Sequence, residues 1–216
     1  MNYSGFYAAI ACLFLLTGCT ATSSHYSVPV YAATQPSNVR VKVSLKNQAV
    51  YVMEGNKPLL VTATTVGKQS DPTPTGNFRV LSKKANKRSG SLGFWVNGTQ
   101  AVPGRSSQSP GPGWHYEGYP LPYWIQFYRG YGFHEGSIWP IPHTHGCLHI
   151  HRNVVRAFFA LVEVGTPVEV AFTQPEDETL GRNLKRPMDY NDPDPPTSVL
   201  LDDRYFDAIP PAHFQP

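Results

Sequence analysis

Between Val39 and Val66 the chain spells out three strands in a row. Val39-Arg40-Val41-Lys42-Val43-Ser44-Leu45 alternates apolar and polar side chains without a break, the pattern of a strand with one wet face. Asn47-Gln48 turns the chain, Ala49 to Met53 returns, and Glu54-Gly55-Asn56 turns it again into the β-branched run Leu59 to Val66. Strands joined by turns this tight must pair antiparallel, so the rest of the chain has to cover the apolar face they create. Asp71-Pro72-Thr73-Pro74-Thr75-Gly76 reads as a rigid loop before a strand from Asn77 to Leu81, and a further strand is expected over Tyr123 to Tyr128. Residues Ser82 to Pro122, rich in Gly, Ser and Pro, read as loop. One helix stands out: Asn153 as its cap, Val154, Phe158, Leu161 and Val162 on one face, Gly165 as its stop, with a strand from Val168 to Phe172 after it. The expected class is mainly β, a sandwich of mixed sheets with one helix at the C-terminal end of the organised region.

That region, residues 38–173, is long enough for one domain with its own core. Residues 1–18 are expected to be an export signal. The apolar run ending Leu13-Phe14-Leu15-Leu16 is short for a membrane span, which needs about 20 residues. Leu16-Thr17-Gly18-Cys19 resembles a bacterial lipoprotein processing site, which implies acylation of Cys19 and a membrane anchor. No Lys or Arg precedes Cys19, so a plain secretory signal or an uncleaved anchor stays open; each of the three delivers the domain to the cell envelope, outside the cytoplasm. Residues 19–37, rich in Ser, Thr, Ala and Pro, read as a flexible tether, and 174–216 as a Pro- and Asp-rich tail without a core, whose Tyr205, Phe206 and Phe214 have a domain surface to dock on. A net charge of +3 is weak for a nucleic-acid partner, and the cluster Lys83, Lys84, Lys87 and Arg88 reads as solvated loop charge.

With Cys12 and Cys19 assigned to the signal, Cys147 is the one thiol of the three cysteines left to the mature domain. A disulfide needs two. A lone Cys is more often a small buried hydrophobe than a reagent, but this one lies in Thr144-His145-Gly146-Cys147 with His134 upstream, and a thiol beside an imidazole is a nucleophile with its base. A free thiol has a pKa near 8.5, so only a few per cent is thiolate at neutral pH and the base has a task. The chemistry this permits is acyl transfer, with the backbone N–H groups of His145, Gly146 and Cys147 as donors to the oxyanion.

These residues carry a resemblance to the L,D-transpeptidase catalytic domains, cysteine enzymes that modify peptidoglycan. Five features match in order: the hairpin from Val41 to Val52; Thr73-Pro74-Thr75-Gly76; Pro122-Tyr123-Trp124 with Phe127; His134-x-Gly136 leading to Thr144-His145-Gly146-Cys147; and the helix, Gly-Thr-Pro-Val turn and strand from Asn153 to Val170. The resemblance implies that Cys147 attacks a stem-peptide carbonyl after the diamino residue and releases D-Ala. His134 would be the base, a backbone carbonyl would fix its tautomer, and an amine or water would resolve the thioester. It implies acylation by carbapenem-type β-lactams and no metal or organic cofactor; Tyr116, Tyr123 and Trp124 are candidates to line the groove, with a place in the core as the alternative. Family members carry Arg two residues after the Cys, where this chain has His149; His149 or Arg152 then takes over the carboxylate, or the substrate differs.

The same stretch supports a rival. His143, His145, Cys147, His149 and His151 alternate, so on a strand all five would face one way as ligands for zinc or copper, making the chain an envelope metal-binding lipoprotein. A third reading is a wall-binding module that kept the fold and lost catalysis.

Overall fold

The computed structural model describes residues 26–216. Cys12, Cys19 and the expected export signal lie outside the described residues. Twelve strands form a nine-stranded sheet and a three-stranded one. The first three are β1 (Val39–Ser44), β2 (Ala49–Glu54) and β3 (Lys57–Thr65), paired antiparallel in the order the alternation predicts. Then come β4 (Gly76–Arg79), β5 (Ser82–Lys84), β6 (Arg88–Asn97), β7 (Gln100–Arg105) and β8 (His115–Pro120). They are followed by β9 (Trp124–Tyr128), β10 (Tyr131–Glu135), β11 (Leu148–Ile150), helix α1 (Arg152–Leu161) and β12 (Pro167–Ala171). The large sheet runs β4-β12-β1-β2-β3-β11-β10-β9-β5. It is mixed: β1 pairs β12 and β10 pairs β11 in parallel, the other neighbours antiparallel.

The sheet folds back on itself about β3. Phe78 of β4 meets Phe127 and Tyr128 of β9, each at 5.3 Å between ring centroids, and Leu81 donates its N–H to Gln126 O. The two halves thereby make a sandwich around Val41, Val43, Leu59, Ile125, Phe133 and Leu148, all buried. Helix α1 closes its open side, with Phe158 against Phe133 at 4.9 Å. The cap lies two residues before the expected one: His151 is the N-cap, its Nδ1 accepting from Asn153 N, and the Asn153 amide donates to Tyr26 O instead.

Three expectations need correction. The stretch from Ser82 to Pro122 is not loop: β6, β7 and β8 form the small sheet. Its glycines bring strands together rather than loosening them, since a Cβ on Gly93 would lie 2.3 Å from Glu117 O and one on Gly118 2.0 Å from Ser89 O. The basic cluster is not simply solvated either. Arg88 donates to Gly118 O, Leu200 O and Leu201 O and pairs with Glu117 and Asp203, while Lys83 lies over the Phe159 ring.

Finally, the tether is not free over residues 26–37. Tyr26 is buried with its hydroxyl against Thr62 Oγ1, and Val30 and Tyr31 bridge to the edge of β3 that neither β2 nor β11 covers. The tail adds two short helices, α2 (Thr197–Leu201) and α3 (Arg204–Asp207), beyond the one helix expected. It ends alongside Tyr31 at Gln215, with Phe206 buried and Phe214 packed on the core. Among the described residues no helix is long and apolar enough to cross a membrane.

Candidate active site

Strands β10 and β11 lie parallel with His134 opposite His149. Cys147 precedes β11 by one residue, two before His149, so the pleat sends its side chain to the face that carries His134 and His149. The turn holding it is locked from several directions. Thr144 Oγ1 accepts from Gly146 N (3.1 Å) and donates to Cys147 O (2.6 Å). Thr73 Oγ1 accepts from Gly67 N and donates to Gly146 O, both at 2.9 Å, so the Thr-Pro-x-Gly loop holds the backbone next to Cys147. Gly146 is a glycine by necessity: its φ is +101°, and a Cβ would lie 2.4 Å from the Tyr131 ring. Its N–H, committed to Thr144, is removed from the expected oxyanion donors, which leaves the N–H groups of His145 and Cys147.

His134 is buried between Trp124, stacked at 6.1 Å, and His149, edge-on at 4.9 Å. Its Nδ1 lies 2.7 Å from Glu135 O. A carbonyl only accepts, so the proton is on Nδ1 and Nε2 keeps its lone pair as a base. Here the tautomer-fixing carbonyl is supplied by the next residue in the chain. Burial, reinforced by His149, pushes the His134 pKa down to about 3. Burial likewise raises the Cys147 thiol, partly offset by a backbone hydrogen bond from Gly132. The thiol's own bond goes to Gly130 O at 3.8 Å. Both shifts favour neutral forms, so the resting pair is thiol and imidazole rather than thiolate and imidazolium.

The other candidate residues divide by position. His149 faces the site, its Nδ1 donating to Ser137 O at 3.0 Å, and burial pushes its pKa down to about 4. Gly136 makes room for it, since a Cβ there would sit 2.6 Å from the His149 ring. Trp124 is buried and packs from Gly132 to His134, which makes it the wall behind the base. Tyr123 turns away, with φ +56° and its ring edge-on to Phe159 of α1. His145 is exposed and meets Lys68 Nζ at 3.4 Å. Arg152 lines a cleft of about 330 Å³ together with His134, His149 and Glu135, and the tail forms the opposite wall through Asp189, Asp192 and Asp194.

The alternating histidines do not gather. His143 stacks on Trp139 at 3.8 Å, and His151 turns inward toward Tyr26 and Asp189. Only Leu148–Ile150 of the run is strand, because Gly146 breaks the extended geometry. Among the described residues no group of three or more His, Cys, Asp or Glu is placed to hold a metal ion. The sequence reading missed the roles of Thr73, Thr144 and Glu135. Thr73 and Thr144 sit inside quoted motifs, but a hydroxyl's target 73 residues away leaves no local trace.

Among curated proteins none matches the chain. Solved structures do. An L,D-transpeptidase from Stackebrandtia nassauensis is 21% identical, with 68% of this chain and 60% of that one covered and a TM-score of 0.46. The C442S mutant of an Enterococcus faecium L,D-transpeptidase is 28% identical over 62% of this chain and 50% of that one, also at 0.46. The L,D-transpeptidase LdtMt1, solved in complex with imipenem, is 17% identical over 62% and 59%, at 0.46. The chain thus spans half to six-tenths of the length of these structures. The model of the YkuD family, the L,D-transpeptidase catalytic domain, matches residues 38–170, more than half of the 216, and the chain belongs to that family.

Proposed function

We propose that the protein is a cysteine acyltransferase acting on peptidoglycan stem peptides, by L,D-transpeptidation through a Cys147 thioester. What carries this is a Cys147 whose turn is held by Thr144 and whose register beside β11 puts it on the face of His134, an imidazole with its proton held on Nδ1 by Glu135 O. The stem carbonyl sits over Sγ, His134 Nε2 takes the thiol proton as sulfur attacks, and the N–H groups of His145 and Cys147 receive the oxyanion. The imidazolium then protonates the departing amine, and an incoming amine reverses the steps to form the new bond. Because the resting pair is neutral, the thiolate appears only as the carbonyl is attacked, which limits side reactions of the thiol with oxidants.

The test is to incubate the full-length chain with a disaccharide-tetrapeptide and read the products by mass spectrometry. A dimer joined through two diamino residues establishes transpeptidation, a tripeptide alone establishes trimming by water, and unchanged substrate overturns the proposal. The same reading extends to β-lactams: LdtMt1 is solved with imipenem, and a strained carbonyl of that class is expected to leave an adduct on Cys147 in intact-mass spectra. Acylation of Cys19 would place the enzyme at a membrane of the envelope; a Cys19→Ser variant that still partitions into detergent with the wild type removes that part.

A further inference from the structure

The sulfur of Cys147 sits over the hairpin that joins β9 to β10. Its thiol reaches Gly130 O at 3.8 Å, and the sulfur takes a backbone hydrogen bond from Gly132. His134 lies further along the same strand. The order along β10 is therefore hairpin tip, sulfur, base. In the first step of the proposed transfer the Sγ–C bond forms, the C–N bond breaks, and His134 hands the thiol proton to the departing nitrogen. That nitrogen must lie within reach of His134, so the acyl part of the stem extends from sulfur toward the hairpin tip.

The tip carries an aromatic ridge. Tyr128 and Tyr131 stand directly opposite each other in the β9–β10 register, which puts both rings on one face, 6.0 Å apart and 28° from parallel. Tyr131 closes on the turn that carries the thiol, since a Cβ on Gly146 would lie 2.4 Å from its ring. Phe78 of β4 continues the row beyond Tyr128 at 5.3 Å. Tyr131 thus has a packing task. Tyr128 is 44% exposed, and its hydroxyl makes no hydrogen bond among the described residues. Between the two tyrosines Arg129 is exposed, and its guanidinium makes no ion pair, hydrogen bond or ring contact among the described residues. Lys68, whose N–H donates to Thr144 O of the thiol's turn, is by contrast taken up by Asp71 and His145.

A sugar ring has C–H bonds on its faces and hydroxyls at its rim, which matches the apolar face and polar tip of a tyrosine. In a disaccharide-tetrapeptide cut before its last residue, two residues separate the acylated one from the sugar. Extended, that peptide covers about 10 Å. The ridge leads away from the thiol's turn in two ring-to-ring steps of 6.0 and 5.3 Å, so Tyr128 stands where the sugar end arrives. Resting on the transpeptidase reading, we propose that this hairpin tip is the subsite for the sugar-bearing end of the donor stem. Tyr128 stacks on the sugar next to the stem, and Arg129 pairs with a carboxylate on the intervening peptide.

The experiment gives the full-length protein two donors, the tetrapeptide with its disaccharide and the same tetrapeptide without it. Acyl-enzyme at Cys147 and products are read by mass spectrometry. Wild type is expected to favour the sugar-bearing donor by about ten-fold in kcat/KM, the worth of one covered ring face. Tyr128→Ala should erase that preference by raising KM for the sugar-bearing donor, and Tyr128→Phe should keep most of it. Arg129→Gln should raise KM by about a few-fold, the size of an exposed ion pair, only for donors whose intervening carboxylate is free rather than amidated. The rate of Cys147 acylation by a carbapenem, which carries no sugar, reports on the turn itself. Equal use of the two donors by wild type overturns the subsite, as does a preference that Tyr128→Ala leaves in place. A loss of carbapenem acylation in Tyr128→Ala that matches its loss on both donors also overturns it, because the ring is then holding the turn. In each of these cases the transpeptidase reading stands. Wild type that yields no product and no Cys147 adduct removes that reading, and the subsite with it.

Discussion

The turn that carries Cys147 and the cleft lined by His134 and Arg152 are built by different means. On the thiol side the turn of Cys147 is held by short bonds and close contacts, mostly from motif residues: Thr144 with Gly146 and Cys147, Thr73 with Gly67 and Gly146, Tyr131 against Gly146. On the cleft side the wall opposite Arg152 is a segment beyond residue 170, where the family match ends, held to the domain by long-range contacts. The turn that carries Cys147 is fixed by several contacts at once, as a reaction that tolerates little misplacement would require. The opposite wall of the cleft comes instead from the distant tail, outside the residues the family model matches.

The largest break in this comparison is on the thiol side. Cys147→Ala should abolish turnover on stem peptides while the thermal midpoint stays near that of wild type, because the deletion removes one part-exposed sulfur and no packing. Measurable wild-type-like turnover in that variant would end the thioester mechanism. Gly146→Ala comes next. At φ +101°, with the Tyr131 ring 2.4 Å from the new Cβ, the turn has to shift. A displacement of about 1 Å at a nucleophile costs on the order of 100-fold, so the rate of Cys147 acylation by a carbapenem should fall by about that factor. A rate within a few-fold of wild type would show that the turn is less constrained than its contacts imply.

What could be read from the sequence follows the same division. Strands β1 to β3 announce themselves because alternation is a local signal and one face is wet. Cys147 and His134 stand out because a thiol and an imidazole lie in short motifs. The small sheet was missed because its glycines mark close strand approach, which composition reads as loop; Gly98-Thr99, the two-residue hairpin loop with Gly98 at φ +57°, was the available clue. The cleft could not be found at all. Its Asp192 and Asp194 sit in a Pro-rich stretch with no periodicity, and they are brought beside Arg152 by long-range contacts of their neighbours, Asp189 with Ile138 N, Tyr190 with Trp139 and Tyr205 with Glu135. Alternation in the histidine run misled for the converse reason, since a single glycine at positive φ ended the strand that would have aligned it.

Arg88 tests how the tail is held. Its guanidinium joins β6 and β8 to Leu200, Leu201 and Asp203 and lies 5.4 Å from the centroid of the Phe206 ring. Asp203 is largely exposed, so that ion pair adds little; the bonds to buried carbonyls carry the effect. Arg88→Ala is expected to cost about 2 kcal/mol, read as a lower denaturation midpoint, and to open the segment after Asp189 to protease before the domain unfolds. Tail cleavage no faster than in wild type would mean that other contacts fix the cleft wall.

The smallest effect separates the two sides by pH. His134 and His149 are both neutral in the fold, with pKa values pushed down to about 3 and about 4 from 6.5. Below pH 6.5 the unfolded chain binds protons that the native state refuses. Stability is therefore full above that pH and falls as pH drops toward 4, by roughly 1 kcal/mol per pH unit for each histidine. His149→Gln removes one of the two, and its slope of stability against pH between 6 and 4.5 should be shallower by about that amount. Glu135, whose pKa burial raises, titrates with the opposite sign but is present in both proteins and cancels in the difference. The thiol gives an independent reading: iodoacetamide labelling of Cys147 should climb with pH through neutrality without a plateau, since burial raises its pKa. A plateau already reached below pH 7 would reveal a preformed thiolate–imidazolium pair, and the thiol side would then be charged at rest rather than neutral like the histidine wall beside it.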